Sequence, residues 1–153
     1  MQPHAPQARA HHPLPLHTEL YEAHRYLDEL LGEVSDAIEA GLDKAALVTL
    51  WTRFDHALRA HMELEETLLL PALRLVHPLE VGGLQEDHVQ LLARLEELDL
   101  AVQLHSAGRG QLMAFLAELR AHARKEDGGA YRWADVDLDD AQKAALRRAL
   151  RGA

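Results

Sequence analysis

The pair His-x-x-x-Glu occurs twice in this 153-residue chain, as His61–Glu65 and His122–Glu126, each time inside an apolar stripe of helical spacing. Residues four apart on a helix lie on one face, so each pair aims an imidazole and a carboxylate at one point. Two single histidines, His24 and His88, hold matching stripe positions in two further helical segments. A chain patterned in this way has to fold as helices that turn four His and two Glu inward.

The stripes define the segments. The first, from about Thr18 to Ala40, carries Leu20, His24, Leu27, Leu31, Val34 and Ile38 three and four apart, and Gly41 closes it. The second, from about Asp43 to Leu70, carries Leu47, Leu50, Phe54, Leu58, His61, Glu65 and Leu68, with Pro71 as its stop and a loose stretch through Pro78 and Gly82-Gly83 behind it. The third runs from about Leu84 to Ser106 with Leu84, His88, Leu91, Leu95, Leu98 and Val102. After Gly108 and Gly110 comes the fourth, about Gln111 to Asp127, with Leu112, Phe115, Leu119, His122 and Glu126, broken by Gly128-Gly129. A short last helix is predicted from Asp139 to Arg151. Asp139 and Gln142 open it as a capping box, Leu146 and Leu150 dock it, and Lys143, Arg147, Arg148 and Arg151 form a solvated face.

Tight connections pair the first segment with the second and the third with the fourth, which predicts an all-α, up-down-up-down four-helix bundle over residues 17–153. Depth along the bundle can be counted. His24 lies 17 residues before Gly41 and His61 lies 20 after it, while His88 lies 20 before Gly108 and His122 lies 14 after it. At about 1.5 Å per residue, all four fall within roughly 10 Å along the axis. Six candidate ligands, His24, His61, Glu65, His88, His122 and Glu126, therefore share one layer.

Composition narrows the chemistry. The hydrophobic fraction of 48% comes mainly from Leu and Ala, which favours helix over strand. Cysteine is absent, so disulfides, thiolate metal sites and iron–sulfur clusters are excluded. A net charge of -9 argues against nucleic acid as a partner. No run reaches the roughly 20 apolar residues of a membrane span, and no secretory pattern opens the chain, so a cytoplasmic home is expected. Four of the six prolines fall in residues 1–16, which read as a flexible tail with His4, His11 and His12 as loose metal contacts at most.

Two metal ions held side by side need bridging anions and neutral end ligands. A carboxylate can span both ions, and imidazole gives one nitrogen to one ion. Four His and two Glu fit a dinuclear site bridged by Glu65 and Glu126, with two histidines per ion. An oxo or hydroxo bridge would leave an open position on each ion for a small molecule. One His-x-x-x-Glu alone is usually a surface pair. Here both glutamates occupy stripe positions, where a buried unpaired carboxylate costs several kcal/mol. Leu20, Leu27, Leu58, Leu91 and Leu119 would wall the site. Glu66 and Asp127 fall about 100° further round their helices and suit supporting or surface roles. Asp28, four residues after His24, is expected to orient that imidazole, and Tyr21 to pack in the core within reach of redox chemistry. His56 should be exposed, His105 lies far from the layer, His77 falls in a loop, and His17 borders the tail.

The series His24 … His61-x-x-x-Glu65-Glu66 … Pro71 … His88 … His122-x-x-x-Glu126 resembles the hemerythrin-like, cation-binding HHE domain over about residues 16–150. The resemblance implies a non-haem di-iron centre, with His24 and His61 on one iron, His88 and His122 on the other, and Glu65 and Glu126 bridging. The oxygen-carrying members have a further histidine four residues after the one on the third helix, and here that position is Leu92. The chain thus looks like the six-ligand branch, whose members include iron sensors and proteins of iron–sulfur repair. The bacterial repair proteins usually add a cysteine-containing domain, which a chain without cysteine lacks. The ferritin-like class uses Glu-x-x-His pairs, and no histidine here has an acid three residues before it.

The function expected is binding or sensing of O2 or NO, or handling of iron, in a monomer or weak dimer. A di-iron oxidase or peroxidase-like enzyme is the first alternative. A bundle stapled by metal as a structural module is the second. Iron rests on the resemblance, since the same donors also suit Zn, Mn or Ni.

Overall fold

Every regular element among residues 13–152, those that this computed structural model describes, is helical. The first helix, α1 (Leu16–Glu39), is followed at Gly41 by a φ of 70°, the left-handed region that glycine adopts freely. Asp43 then caps α2 (Lys44–Leu64), its carboxylate accepting the Ala46 N–H at 2.8 Å. The predicted tail falls mostly on residues 1–12, with His4, His11 and His12, outside the described residues.

Pro71 does not stop this helix. The chain passes through one π-helical turn, Glu65–Leu69, in which the Leu70 N–H donates to the Glu65 carbonyl, and continues as α3 (Leu70–Leu73). Proline has no N–H, and its ring would strike the carbonyl four residues back in an α-helix. A wider turn ahead of it relieves both problems, and such turns recur at functional sites. Gly82-Gly83 also behave differently from the expectation of a loose stretch. They lie inside α4 (Pro78–Gln103), which starts at a proline in the first turn, where a missing N–H costs nothing.

The chain then forms α5 (Arg109–Gly128), α6 (Ala130–Asp137) and α7 (Asp140–Gly152). Helix α1 packs on α2 and α5, and α4 packs on the same two. The capping box of α7 is present: the Asp139 N–H donates to Gln142 Oε1 at 2.9 Å and the Gln142 N–H to Asp139 Oδ1 at 2.7 Å. Leu146 is fully buried and Leu150 partly so. The basic face of α7 is not wholly solvated, because Arg147 donates to Glu19 Oε2 at 2.8 Å and Lys143 to the Asp135 carbonyl at 2.7 Å. Both contacts tie the last helix down.

Two apolar clusters fill the interior. One gathers Leu27, Leu58, Leu91 and Leu119 with Trp51, Phe54 and Phe115. The other gathers Leu16, Leu20, Leu64, Leu69 and Leu73 with Ala130 and Tyr131. Trp51 is fully buried, and its indole N–H donates to Asp99 Oδ1 at 2.8 Å. Each fully buried large side chain is worth about 1.5–3 kcal/mol. Between the clusters stand His61, Glu65, His88, His122 and Glu126, which with Ser35 are the buried polar side chains among the described residues.

Candidate metal centre

The four long helices each bring part of one polar layer. His24 comes from α1, His61 from α2, Glu65 from the π turn, His88 from α4, and His122 and Glu126 from α5. Their donor atoms form two groups, His24–His61–Glu65–Glu126 and Glu65–His88–His122–Glu126, with the atoms of each group within 4.8 Å of one another. All six residues singled out in the sequence are brought together.

Both carboxylates belong to both groups. Glu65 turns Oε1 to His61 Nε2 at 2.9 Å and Oε2 to His88 Nε2 at 3.2 Å. Glu126 turns Oε2 to His24 Nε2 at 2.9 Å and Oε1 to His122 Nε2 at 2.7 Å. The rings pair accordingly, His24 with His61 at 5.0 Å between centroids and His88 with His122 at 4.7 Å. Three of these buried atoms, Glu65 Oε2, His122 Nε2 and Glu126 Oε2, lack an aligned hydrogen bond. Orphaned buried polar atoms are costly and uncommon. Atoms that crowd a common point without pointing at each other fit a cation, and nitrogen and carboxylate donors suit a first-row divalent or trivalent ion.

The charges follow the same logic. Burial works against both glutamate charges, yet the surrounding imidazoles outweigh it, holding Glu65 below and Glu126 well below the ordinary carboxylate range. Burial likewise opposes protonation of His24, but Asp127 and then Glu126 and Glu65 hold its pKa up to about 10. His88 is held up to about 10 against its burial by Glu126 and Glu65, and His122 is raised by Glu126 and Asp87. Two buried carboxylates demand positive charge. A cation, or protons on His24, His88 and His122, can supply it.

Carboxylates also stand behind three of the rings, the usual way to fix an imidazole's tautomer and aim. His88 Nδ1 faces Glu66 Oε1 at 2.6 Å, His122 Nδ1 faces Asp87 Oδ2 at 3.1 Å, and His24 Nδ1 faces Asp127 Oδ1 at 3.0 Å. Glu66 and Asp127 therefore take the supporting roles expected of them. Asp28 does not. It lies further along α1, where Arg120 draws it into a two-point pair at 2.6 and 2.9 Å.

The tyrosine near the layer is Tyr131, which sequence reasoning missed. It is fully buried, and its hydroxyl touches His24 Nε2 at 2.7 Å, His61 Nε2 at 3.0 Å and Glu65 Oε1. Burial, with Glu126 and Glu65 nearby, raises its pKa well above the ordinary phenol range. Tyr21 is half-exposed on the wall of a cleft and does not pack in the core. Helix α6, which carries Tyr131, follows a break at Gly129. A Cβ there would stand 3.0 Å from the Lys125 carbonyl and 3.3 Å from the Trp133 ring. Ala130, Tyr131 and Ala134 are the buried residues of α6, a set too short to show a period in the sequence.

A cleft of about 440 Å³ between α1, α2 and α5 reaches His24, His61, Glu65 and His122 from the surface, past Leu27, Leu58 and Leu119 and the charged Arg25, Arg120 and Arg124. The other histidines among the described residues lie apart. His56 and His105 are exposed. His77 stacks on Trp133 at 3.8 Å and meets Asp137 Oδ2 at 2.9 Å. His17 meets Asp135, whose carboxylate also accepts the Leu16 N–H at 2.8 Å.

A helical bundle with a buried His/Glu cluster built for cations defines a class of metal-binding protein. The profile of the hemerythrin HHE cation binding domain matches residues 16–134, and the chain belongs to that family. No curated protein and no solved structure matches it.

Proposed function

We propose that the layer holds two iron ions and that the protein binds or senses O2 or NO through them, or handles iron. His24 and His61 would hold one ion and His88 and His122 the other, with Glu65 and Glu126 shared. The observation that carries this reading is that each glutamate turns one oxygen to each histidine pair. Iron at such a centre would supply a redox couple and an open position for a diatomic ligand. The chain's own groups do the rest. Asp127, Glu66 and Asp87 aim the imidazoles, and the leucines on either side limit water.

The neighbour relations of α1, α2, α4 and α5 support an up-down-up-down four-helix bundle as the scaffold. Leu92, partly buried beside the apolar cluster, offers no donor where the oxygen carriers have a histidine, which argues against simple reversible O2 carriage. No described helix is long and apolar enough to cross a membrane. With the acidic, cysteine-free composition, this supports a cytoplasmic protein that does not work on nucleic acid. One observation favours an oxidase or peroxidase-like enzyme as the second reading: a cleft of about 440 Å³ has room for more than a diatomic molecule.

The test is metal content of freshly purified protein by elemental analysis, with absorption spectra under air and then NO. Two irons per chain and an NO-dependent spectrum, both lost in His61→Ala and Glu126→Ala, support the reading. Turnover of peroxide with a reductant would move it to the enzyme. Zinc, or no metal after anaerobic iron loading, would sink the redox reading and leave a structural staple.

A further inference from the structure

The hydroxyl of Tyr131 sits where a ligand of the first ion would sit. Ligands at about 2.0–2.2 Å from a first-row ion stand about 3 Å from their neighbours in its shell. The Tyr131 oxygen lies 2.7 Å from His24 Nε2, 3.0 Å from His61 Nε2 and against Glu65 Oε1. It is about as close to the two imidazole nitrogens as they are to the carboxylate oxygens of their own group.

Hydrogen bonding alone accounts poorly for this arrangement once an ion is bound. A tyrosine hydroxyl has one hydrogen to give. Glu65 Oε1 can only accept. His24 Nδ1 faces the Asp127 carboxylate and so carries that ring's hydrogen, which leaves Nε2 with a lone pair whenever the ring is neutral. His61 must likewise present a lone pair to serve as a ligand. One hydrogen then stands among three acceptors, whereas a cation among them serves every lone pair. The ring is also fixed in place. It stacks on His24 at 4.8 Å with the planes 27° apart, and Tyr131 is fully buried on α6, a helix held to α1 and α5.

We propose that Tyr131 is a seventh protein ligand, binding the ion of the His24–His61 pair as a phenolate. This rests on the reading that the layer binds iron. On binding, the phenol O–H bond breaks, the oxygen keeps the electron pair for the metal, and the proton leaves to solvent. The two halves of the centre are then unequal. Each has two imidazoles and a share of two carboxylates, but only one has a tyrosine, so an external ligand is directed to the His88–His122 half.

A ferric ion bound by phenolate absorbs in the visible through ligand-to-metal charge transfer and shows tyrosinate ring modes in resonance Raman spectra. The chain has three tyrosines, Tyr21, Tyr26 and Tyr131, which makes assignment direct. The experiment compares iron-loaded, oxidised full-length protein with Tyr131→Phe and with the double variant Tyr21→Phe/Tyr26→Phe, counting iron in each. The expected result is a visible band and tyrosinate modes that persist in the double variant and vanish in Tyr131→Phe. Two irons per chain with no tyrosinate signal in the wild-type protein or the double variant overturns the ligand while sparing the di-iron reading. Failure of the wild-type protein to take up iron overturns both. The double variant keeps Tyr131, so the answer stands even where Tyr131→Phe does not fold.

Discussion

Asp127 backs His24: its Oδ1 lies 3.0 Å from the imidazole Nδ1, while Glu126, one residue earlier, faces Nε2 of the same ring at 2.9 Å. Two consecutive residues of α5 thus hold opposite edges of one imidazole. Asp127→Ala should lower metal affinity about 10–100-fold, the usual cost of losing a carboxylate behind a ligating histidine. Asp28→Ala breaks only an exposed pair with Arg120, worth under about 1 kcal/mol, and should leave affinity unchanged. Competition with a chelator separates them, and equal affinities for the two variants would remove Asp127 from the site's support.

Removing metal should weaken the whole bundle. A ligand at 1,000 times its Kd adds about 4 kcal/mol to stability through mass action. Denaturant unfolding of chelated and metal-loaded protein should therefore differ by several kcal/mol, with the difference lost in Glu65→Ala. A stability indifferent to metal would mean that Glu65 and Glu126, both fully buried, do not meet it.

Asp135 joins α6 to the first turn of α1 by accepting from Leu16 and His17. Burial opposes its charge, but the His17 ring and those two amides outweigh it and hold its pKa below the ordinary aspartate value. A depressed carboxylate pKa adds stability that is complete above about pH 4, the unfolded value, and is lost as pH falls through the folded one. Asp135→Asn keeps one acceptor but puts an amide N–H2 where Oδ2 met the His17 N–H and ring, and should cost about 1 kcal/mol at neutral pH, as for loss of a hydrogen bond. It should also flatten the acid limb of an unfolding curve below about pH 4, and an unchanged limb would assign acid sensitivity elsewhere.

Gly129 is pinned by crowding. A methyl group there meets the Lys125 carbonyl and the Trp133 ring, and overpacking of this kind costs about 1–3 kcal/mol. Gly129→Ala should lower the thermal midpoint, while Gly32→Ala, where a Cβ meets nothing within 4 Å, should not. Calorimetry of the two variants decides, and a neutral Gly129→Ala would show that α6 has room to shift.

The helical stripes and the buried polar layer were legible because a strong period carries both. Leu27, Leu58, Leu91 and Leu119 mark one face each, and counting from the turns set the depth of the histidines. What escaped was local or cross-chain. Pro71 read as a stop because a π turn absorbs the proline without any compositional mark. Gly82 and Gly83 read as loop because propensity alone disfavours them, yet burial of Val81 and Leu84 holds the helix. Asp28 looked like the partner of His24 because the two share a helix. Its real partner, Arg120, and the real orienter, Asp127, sit on α5, and that proximity exists only after folding. Tyr131 was hidden by the brevity of its helix.

The polar layer between the two apolar clusters gives the bundle a waist. Above and below it leucines meet leucines, but at the waist the helices present imidazoles and carboxylates to one another. Ions held there would bind one residue or more from each of α1, α2, α4 and α5, clamping four segments that are far apart in sequence. For a chain with no cysteine, that clamp would be its nearest equivalent to a covalent tie, and one that opens whenever the ions leave.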